Sequence, residues 1–269
     1  MTEYLLPILF FFVALIYSSV GLGGGSSYTA LMAIFGISYQ MIPTTSLSLN
    51  LIVTFIGMVN FWRKGYGRLN LVGPFLITSI PMAYLAGSLE MPKFIFQIIL
   101  ISTLLLVAAR IYIINRLTLS FKLSDTQKWI MVILLGAILG FIAGAVGIGG
   151  GIYLVPLIIM FGLGTEKEAA AAGAMFIWVN SLVGVIARTQ LGTFDPEFII
   201  PLAIAVFIGG FGGSYFGAMK FEARTIQRVM GGIVIIAILF LLQGMISKMS
   251  RKEHQVTRIT LKVFLGESS

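Results

Sequence analysis

Gly21-Leu22-Gly23-Gly24-Gly25 returns as Gly147-Ile148-Gly149-Gly150-Gly151, and the rest of the chain falls into register on either side of the two runs. A Val precedes each run (Val20, Val146), and a Phe-Gly pair follows each at one offset (Phe35-Gly36, Phe161-Gly162). With a single-residue slip, Gly57 answers Gly184, Gly65 answers Gly192 and Pro74 answers Pro201; Ala86-Gly87-Ser88 then faces Gly212-Gly213-Ser214 at the original offset. The pattern reads as a duplicated unit, a plan on which many transporter folds are built.

Hydrophobic residues fill 58% of the 269 positions and charged residues 10%, with a mean hydropathy of +1.01. A soluble domain carries roughly a quarter charged residues, so this composition reads as an integral membrane protein. The apolar runs approach the ~20 residues that a bilayer-spanning helix needs, and no alternating strand pattern replaces them. The fold class is therefore an all-α polytopic membrane protein of 8–10 helical segments in two duplicated halves, each with a short Gly-flanked broken helix.

The net charge of +8 comes from Lys and Arg at the ends of apolar runs, a placement that suits membrane topology and lipid headgroups rather than nucleic acid. Zero Cys removes disulfides, thiolate chemistry and Cys-based metal sites. The lone His254 lies beyond the last apolar run and reads as a solvated tail residue, so no metal and no cofactor is expected. Met1-Thr2-Glu3 lacks a basic n-region, and the apolar run after it is expected as a helix of the mature protein.

In order, helices are expected at about 4–22, 43–62, 70–89, 93–115, 128–146, 167–190, 196–218 and 224–246, with two short segments at 26–35 and just before Phe161. A segment of about ten residues covers about half of a ~30 Å core and cannot cross alone. The division is a first membrane repeat over 1–115, a polar connector over 116–127, a second repeat over 128–247 and a basic polar tail over 248–269. Gly136, Gly140 and Gly144, like Gly209, Gly213 and Gly217, form close-packing stripes that serve a homodimer or an internal contact equally well. If every segment crosses, eleven of the 18 Lys and Arg fall on one side; if the short segments dip and return, thirteen do. The first alternative makes the halves inverted repeats and the second makes them parallel ones.

Paired Gly-interrupted segments in two halves point to a substrate site near the midplane, where a new helix N-terminus offers free N–H groups and suits an anion. The candidate binding residues are Gly23, Gly24, Gly25, Ser26, Ser27, Thr45, Asn50, Gly149, Gly150, Gly151, Asn180, Ser181 and Arg188. Thr44, Ser48 and Thr54 are further polar groups in apolar runs, against the plainer reading that each hydroxyl bonds its own helix. Asn50 and Asn180 carry more weight, since an amide is harder to satisfy locally. Arg188 either meets an anion or snorkels to the surface. The runs are no nucleotide signature, because neither the G-x-G-x-x-G spacing nor a following Lys-Ser/Thr is present. All ten acids fall near helix ends or in connectors, which removes support from a carboxylate-based proton pump.

The twin Val-Gly-x-Gly-Gly-Gly runs, Pro156 five residues after Gly151, and Asn180-Ser181-Leu182-Val183-Gly184 followed by Gly192 resemble the TauE/SafE sulfite exporter family over about residues 4–246. The resemblance implies a multi-pass permease of the bacterial cytoplasmic membrane that exports small sulfur-containing anions such as sulfite or sulfonates. The sequence departs from the pattern at Ala30, where the first half lacks the counterpart of Pro156. The expected partners are a small anionic substrate and the lipid bilayer. A permease for a neutral or cationic solute is the alternative; an enzyme or scaffold has no supporting constellation.

Overall fold

A computed structural model describes residues 2–19, 22–113, 124–216, 231–232 and 234–243. Val20, Gly21, most of the connector, Gly217 and the basic tail with His254 lie outside the described residues, as does the Arg110 side chain. Every regular element among the described residues is a helix: α1 (Thr2–Ser19), α2 (Gly25–Ile34), α3 (Met41–Arg63), α4 (Leu69–Ser88), α5 (Lys93–Tyr112), α6 (Asp125–Val146), α7 (Gly151–Met160), α8 (Glu166–Thr189), α9 (Pro196–Phe216) and α10 (Val234–Gln243). Five of them, α3, α4, α6, α8 and α9, are long and apolar enough to cross a bilayer. Large apolar side chains such as Ile77 and Phe211 are more than half exposed on the outer surface, as a lipid-facing belt requires.

Local chemistry explains where the boundaries differ from the sequence expectation. α6 begins at Asp125 rather than 128 because Ser124 and Gln127 form a capping box: the Gln127 N–H donates to Ser124 Oγ at 3.3 Å and the Ser124 N–H to Gln127 Oε1 at 3.0 Å. α3 begins at Met41, so Pro43 lies in the first turn, where a missing N–H breaks no helical hydrogen bond. α5 stops at Tyr112, short of expectation.

The short segments α2 and α7 are ten residues each, about 15 Å or half the apolar thickness. They end in the same turn, in which the Ile37 N–H donates to Met32 O at 3.0 Å and the Leu163 N–H to Ile158 O at 2.9 Å. Gly36 and Gly162 take the left-handed φ that this turn demands, +73° and +61°. Ala30 in place of a second Pro changes neither the length nor the closing turn. The starts do differ: Gly150 is left-handed with φ 73°, whereas Gly24 has φ −85°.

Contacts sort the helix ends into two groups. Arg68 pairs with Glu168 at 3.0 Å and Lys167 Nζ donates to the Tyr66 hydroxyl at 3.1 Å, placing the starts of α4 and α8 together. A cleft lined by Asn70, Lys128, Trp129 and Leu163 adds the start of α6 and the turn after α7 to this basic end. The opposite end is marked by a cavity between Gln40, Pro43, Glu90, Phe96, Ala145, Arg188 and Thr193, which joins the starts of α3 and α5 to the ends of α4, α6 and α8. α3 and α8 are therefore antiparallel, and α7 runs back toward the end from which α6 came.

The broadest contacts are α4 with α6 and α1 with α9. Each is a parallel pair joined by a glycine stripe. Gly136, Gly140 and Gly144 meet Phe75, Ser79 and Ala83 in ascending order, and Gly209 and Gly213 meet Phe11 and Leu15. In both stripes the partner is helix backbone, so these glycines serve internal crossings. Because α9 starts at the Arg188 end, the parallel α1 does too. α2 returns the chain there, where Tyr39 packs on Phe96 at 5.9 Å between ring centres. α2 and α7 thus run from the middle of the molecule toward opposite ends.

Candidate anion site between two half-helices

The starts of α2 and α7 face each other across Asn50, which lies near the middle of α3 (Met41–Arg63). A Cβ on Gly25 would stand 2.6 Å from Asn50 Nδ2 and 2.7 Å from the Ile148 carbonyl oxygen. One on Gly23 would stand 2.7 Å from Asn50 Oδ1, and one on Gly149 3.2 Å from Asn50 Nδ2. Only glycine lets the two runs and the amide share this space. Ser46, one turn before Asn50 on the same face, donates to Gly147 O at 2.7 Å and lies 3.3 Å from Gly25 O, while Asn50 Nδ2 reaches Gly147 O at 3.4 Å.

Neither half-helix has a side-chain cap. Gly24 and Gly150 hold the cap positions without a side-chain acceptor, in contrast to Ser124 and Thr165, which open α6 and α8 with capping boxes. The Ser27 and Tyr28 N–H groups return to Gly24 O at 3.0 and 2.9 Å, and those of Tyr153 and Leu154 to Gly150 O at 3.1 and 3.3 Å. The N–H groups of Gly25, Ser26 and Ile152 have no acceptor among the described residues. Two such starts aimed at one point bring about half a positive charge each to the centre of the apolar slab. That arrangement favours negative charge.

α8 closes the centre from the other side. Ile177 packs on Gly149 and Gly151, Leu47 packs on Gly184, and Phe55 meets Trp178 at 6.1 Å between ring centres. This antiparallel register sets Asn180 and Ser181 level with Asn50. All three are fully buried, and Asn50 Oδ1, Asn180 Oδ1 and Ser181 Oγ have no hydrogen-bond partner. Leaving such a group unpaired costs about 1–3 kcal/mol, so three at one level call for a polar occupant to satisfy them.

Other expected site residues are placed differently. Thr45 Oγ1 is buried and unpartnered, but five residues before Asn50 it lies on another face of α3. Ser26 and Ser27 turn to the Tyr17 hydroxyl at 3.2 and 3.0 Å. Ser48 donates to Thr44 O at 2.9 Å and Thr54 to Asn50 O at 2.6 Å, so both follow the plainer reading of helix-bonded hydroxyls. Even the Asn180 amide donates locally, to Phe176 O at 2.8 Å, leaving only its oxygen free. Ser46, Tyr17 and Tyr28 were not expected in the site. The four-residue spacing of Ser46 and Asn50 was the available signal for the first. Nothing in the sequence marks Tyr28, whose ring folds over Gly24 with a buried, unpartnered hydroxyl.

Arg188 is not at this centre. It lies seven residues beyond Ser181, about 10 Å further along α8, at 5% exposure. Its Nε and Nη2 donate to Gly144 O at 3.2 and 3.0 Å, and Nη2 also to Ala145 O at 2.8 Å. The guanidinium thereby caps the C-terminal carbonyls of α6, where positive charge is favoured. It does not snorkel.

A family model described as sulfite exporter TauE/SafE matches residues 6–241, nearly every residue described above. The chain belongs to the TauE/SafE family. It is 32% identical over 244 residues, 89% of this chain and 96% of the relative, to a probable membrane transporter protein of Sinorhizobium fredii. Probable membrane transporter proteins of Bacillus subtilis (28% identity; 84% of this chain, 94% of the relative) and Methanocaldococcus jannaschii (28%; 88% and 96%) are similarly matched over most of their length. No solved structure matches. The chain is a multi-pass membrane transporter of this family.

Proposed function

We propose that this TauE/SafE protein is a permease for small anions, sulfite or organosulfonates first, moving them outward by alternating access around the point where α2 and α7 meet. The observation that carries the reading is the head-to-head placement of two uncapped glycine starts beside Asn50, Asn180 and Ser181, whose buried polar atoms have no partner. Free N–H groups and the Ser181 hydroxyl supply donors for oxyanion oxygens. The two amide oxygens accept from a protonated form such as bisulfite.

The halves, on this reading, are a duplicated unit in inverted orientation, since α2 and α7 point to opposite ends. Such halves exchange accessibility by rocking about a fixed midplane site. The basic end, with Arg63, Lys64, Arg68, Lys128 and Lys167, faces the cytoplasm by the positive-inside rule.

Flux into and out of proteoliposomes tests the function. Wild type moves sulfite or a small sulfonate above empty vesicles, and Asn50→Leu reduces that flux at least tenfold while the protein still inserts. Absence of flux for every sulfur oxyanion tried would sink the reading. The acceptor oxygens of Asn50 and Asn180 favour a hydrogen-bond-donating neutral or cationic solute as the second reading, recognised by flux that anions do not compete for.

A further inference from the structure

The cavity at the Arg188 end is separate from the midplane centre. Its volume is about 250 Å³, and its walls include Tyr39, Gln40, Glu90, Phe96, Arg188 and Thr193. Arg188 on its wall is 5% exposed and pairs with no carboxylate among the described residues. Three hydrogen bonds to Gly144 O and Ala145 O hold Nε and Nη2, which leaves Nη1 without an acceptor among the described residues.

A buried cation held only by carbonyl dipoles keeps most of its charge uncompensated. In a protein that spans a membrane such a charge marks a substrate path by default. The anchoring bonds hold the planar fork in place, and a guanidinium N–H so held is a strong donor to an oxyanion. Thr193 adds to the order of this wall: Thr44 and Thr193 share a hydrogen bond of 2.7 Å, and Thr193 Oγ1 lies 3.5 Å from Arg188 O, tying the start of α3 to the end of α8.

The cavity also stands on the route to the glycine centre. Pro43 and Ala145 line it, and Pro43 backbone is the surface against which Gly147 packs. Among the described residues, Glu90 is the one carboxylate in its lining. Its negative charge repels an anion in proportion to the anion's charge, so the lining disfavours a dianion more than a singly charged oxyanion.

We propose that this cavity is a second binding station, in series with the midplane centre, for a small singly charged oxyanion gripped by Arg188. The station rests on the anion-permease reading for its role in transport, while its binding is testable by itself. Methanesulfonate is the probe, titrated calorimetrically into the purified full-length protein. Wild type binds two equivalents, and Arg188→Gln binds one. In vesicles the same variant raises KM about tenfold with a maximal rate within twofold, a split that mere loss of the α6 cap does not produce.

If Arg188→Gln does not fold, Met91→Trp decides the question, because Met91 belongs to the cavity wall between α4 and α5 and its replacement takes up the space while Arg188 itself is retained. Loss of one equivalent in that variant supports the station. Unchanged binding in the variants that fold overturns it, as does a wild type that binds no methanesulfonate or one in which sulfate competes equally for the Arg188 equivalent. Flux with unchanged variants leaves the permease reading standing alone. Arg188-dependent binding with no flux leaves the station standing and removes the permease reading.

Discussion

At the residue scale, glycines of one sequence type do different jobs here. Gly36 has φ +73° and nothing within 4 Å of where a Cβ would sit, so its requirement is conformational alone. Alanine there forces a left-handed residue, which costs roughly 1–2 kcal/mol. Gly25 has no such backbone need, but alanine would drive a methyl into Asn50 and the Ile148 carbonyl, where an essentially incompressible contact must open. Gly36→Ala is therefore expected to lower the melting temperature modestly and keep flux near wild type, whereas Gly25→Ala abolishes at least nine-tenths of flux in protein that still reaches the membrane. Thermal melts in detergent beside vesicle flux check the pair. Equal loss of transport in both would return Gly25 to the rank of a packing residue.

Helix starts divide by function at the element scale. α8 opens with a box in which the Thr165 N–H donates to Glu168 Oε2 at 2.8 Å and the Glu168 N–H to Thr165 Oγ1 at 3.4 Å, with Arg68 on the same carboxylate. Removing the hydroxyl as Thr165→Ala costs about 1 kcal/mol, a fall of about 2–4 °C for a chain of this size. The substrate KM should not move, because the site lies at the middle of α8, and a KM shift beyond twofold would show that the basic end shapes the centre. The two glycine-flanked short helices were legible in the sequence. The direction in which a ten-residue helix runs was not. Direction is set by packing of Gly149 and Gly151 on Ile177 and of Gly25 on Ile148, contacts between separate segments, the last between segments more than a hundred residues apart. Arg188 was ambiguous for the same reason: only the ends of α6 and α4, brought around it by folding, decide that it is enclosed instead of reaching water.

For the whole molecule, sidedness follows from where folding collects the charges. The sequence alone left two topologies open, because eleven against seven and thirteen against five basic residues both satisfy a positive-inside bias. Enclosing Arg63, Lys64, Arg68, Lys128 and Lys167 at one end, with Lys93 and Arg188 at the other, ties the question to a single axis. The absence of Cys from the chain makes that axis directly measurable. Gln40 and Lys64 are both exposed, at opposite ends of the span of α3. In intact cells a membrane-impermeant maleimide should label Gln40→Cys and spare Lys64→Cys, with both labelled after lysis. The reverse pattern would turn the Arg188 cavity toward the cytoplasm and make it an entry station for export. Labelling of both from outside would break the assignment of the two ends. Gln40 also lines the cavity, so the rate of its labelling carries a second reading: slowing by methanesulfonate places the anion in the outward cavity, and for an exporter that is the last station before release.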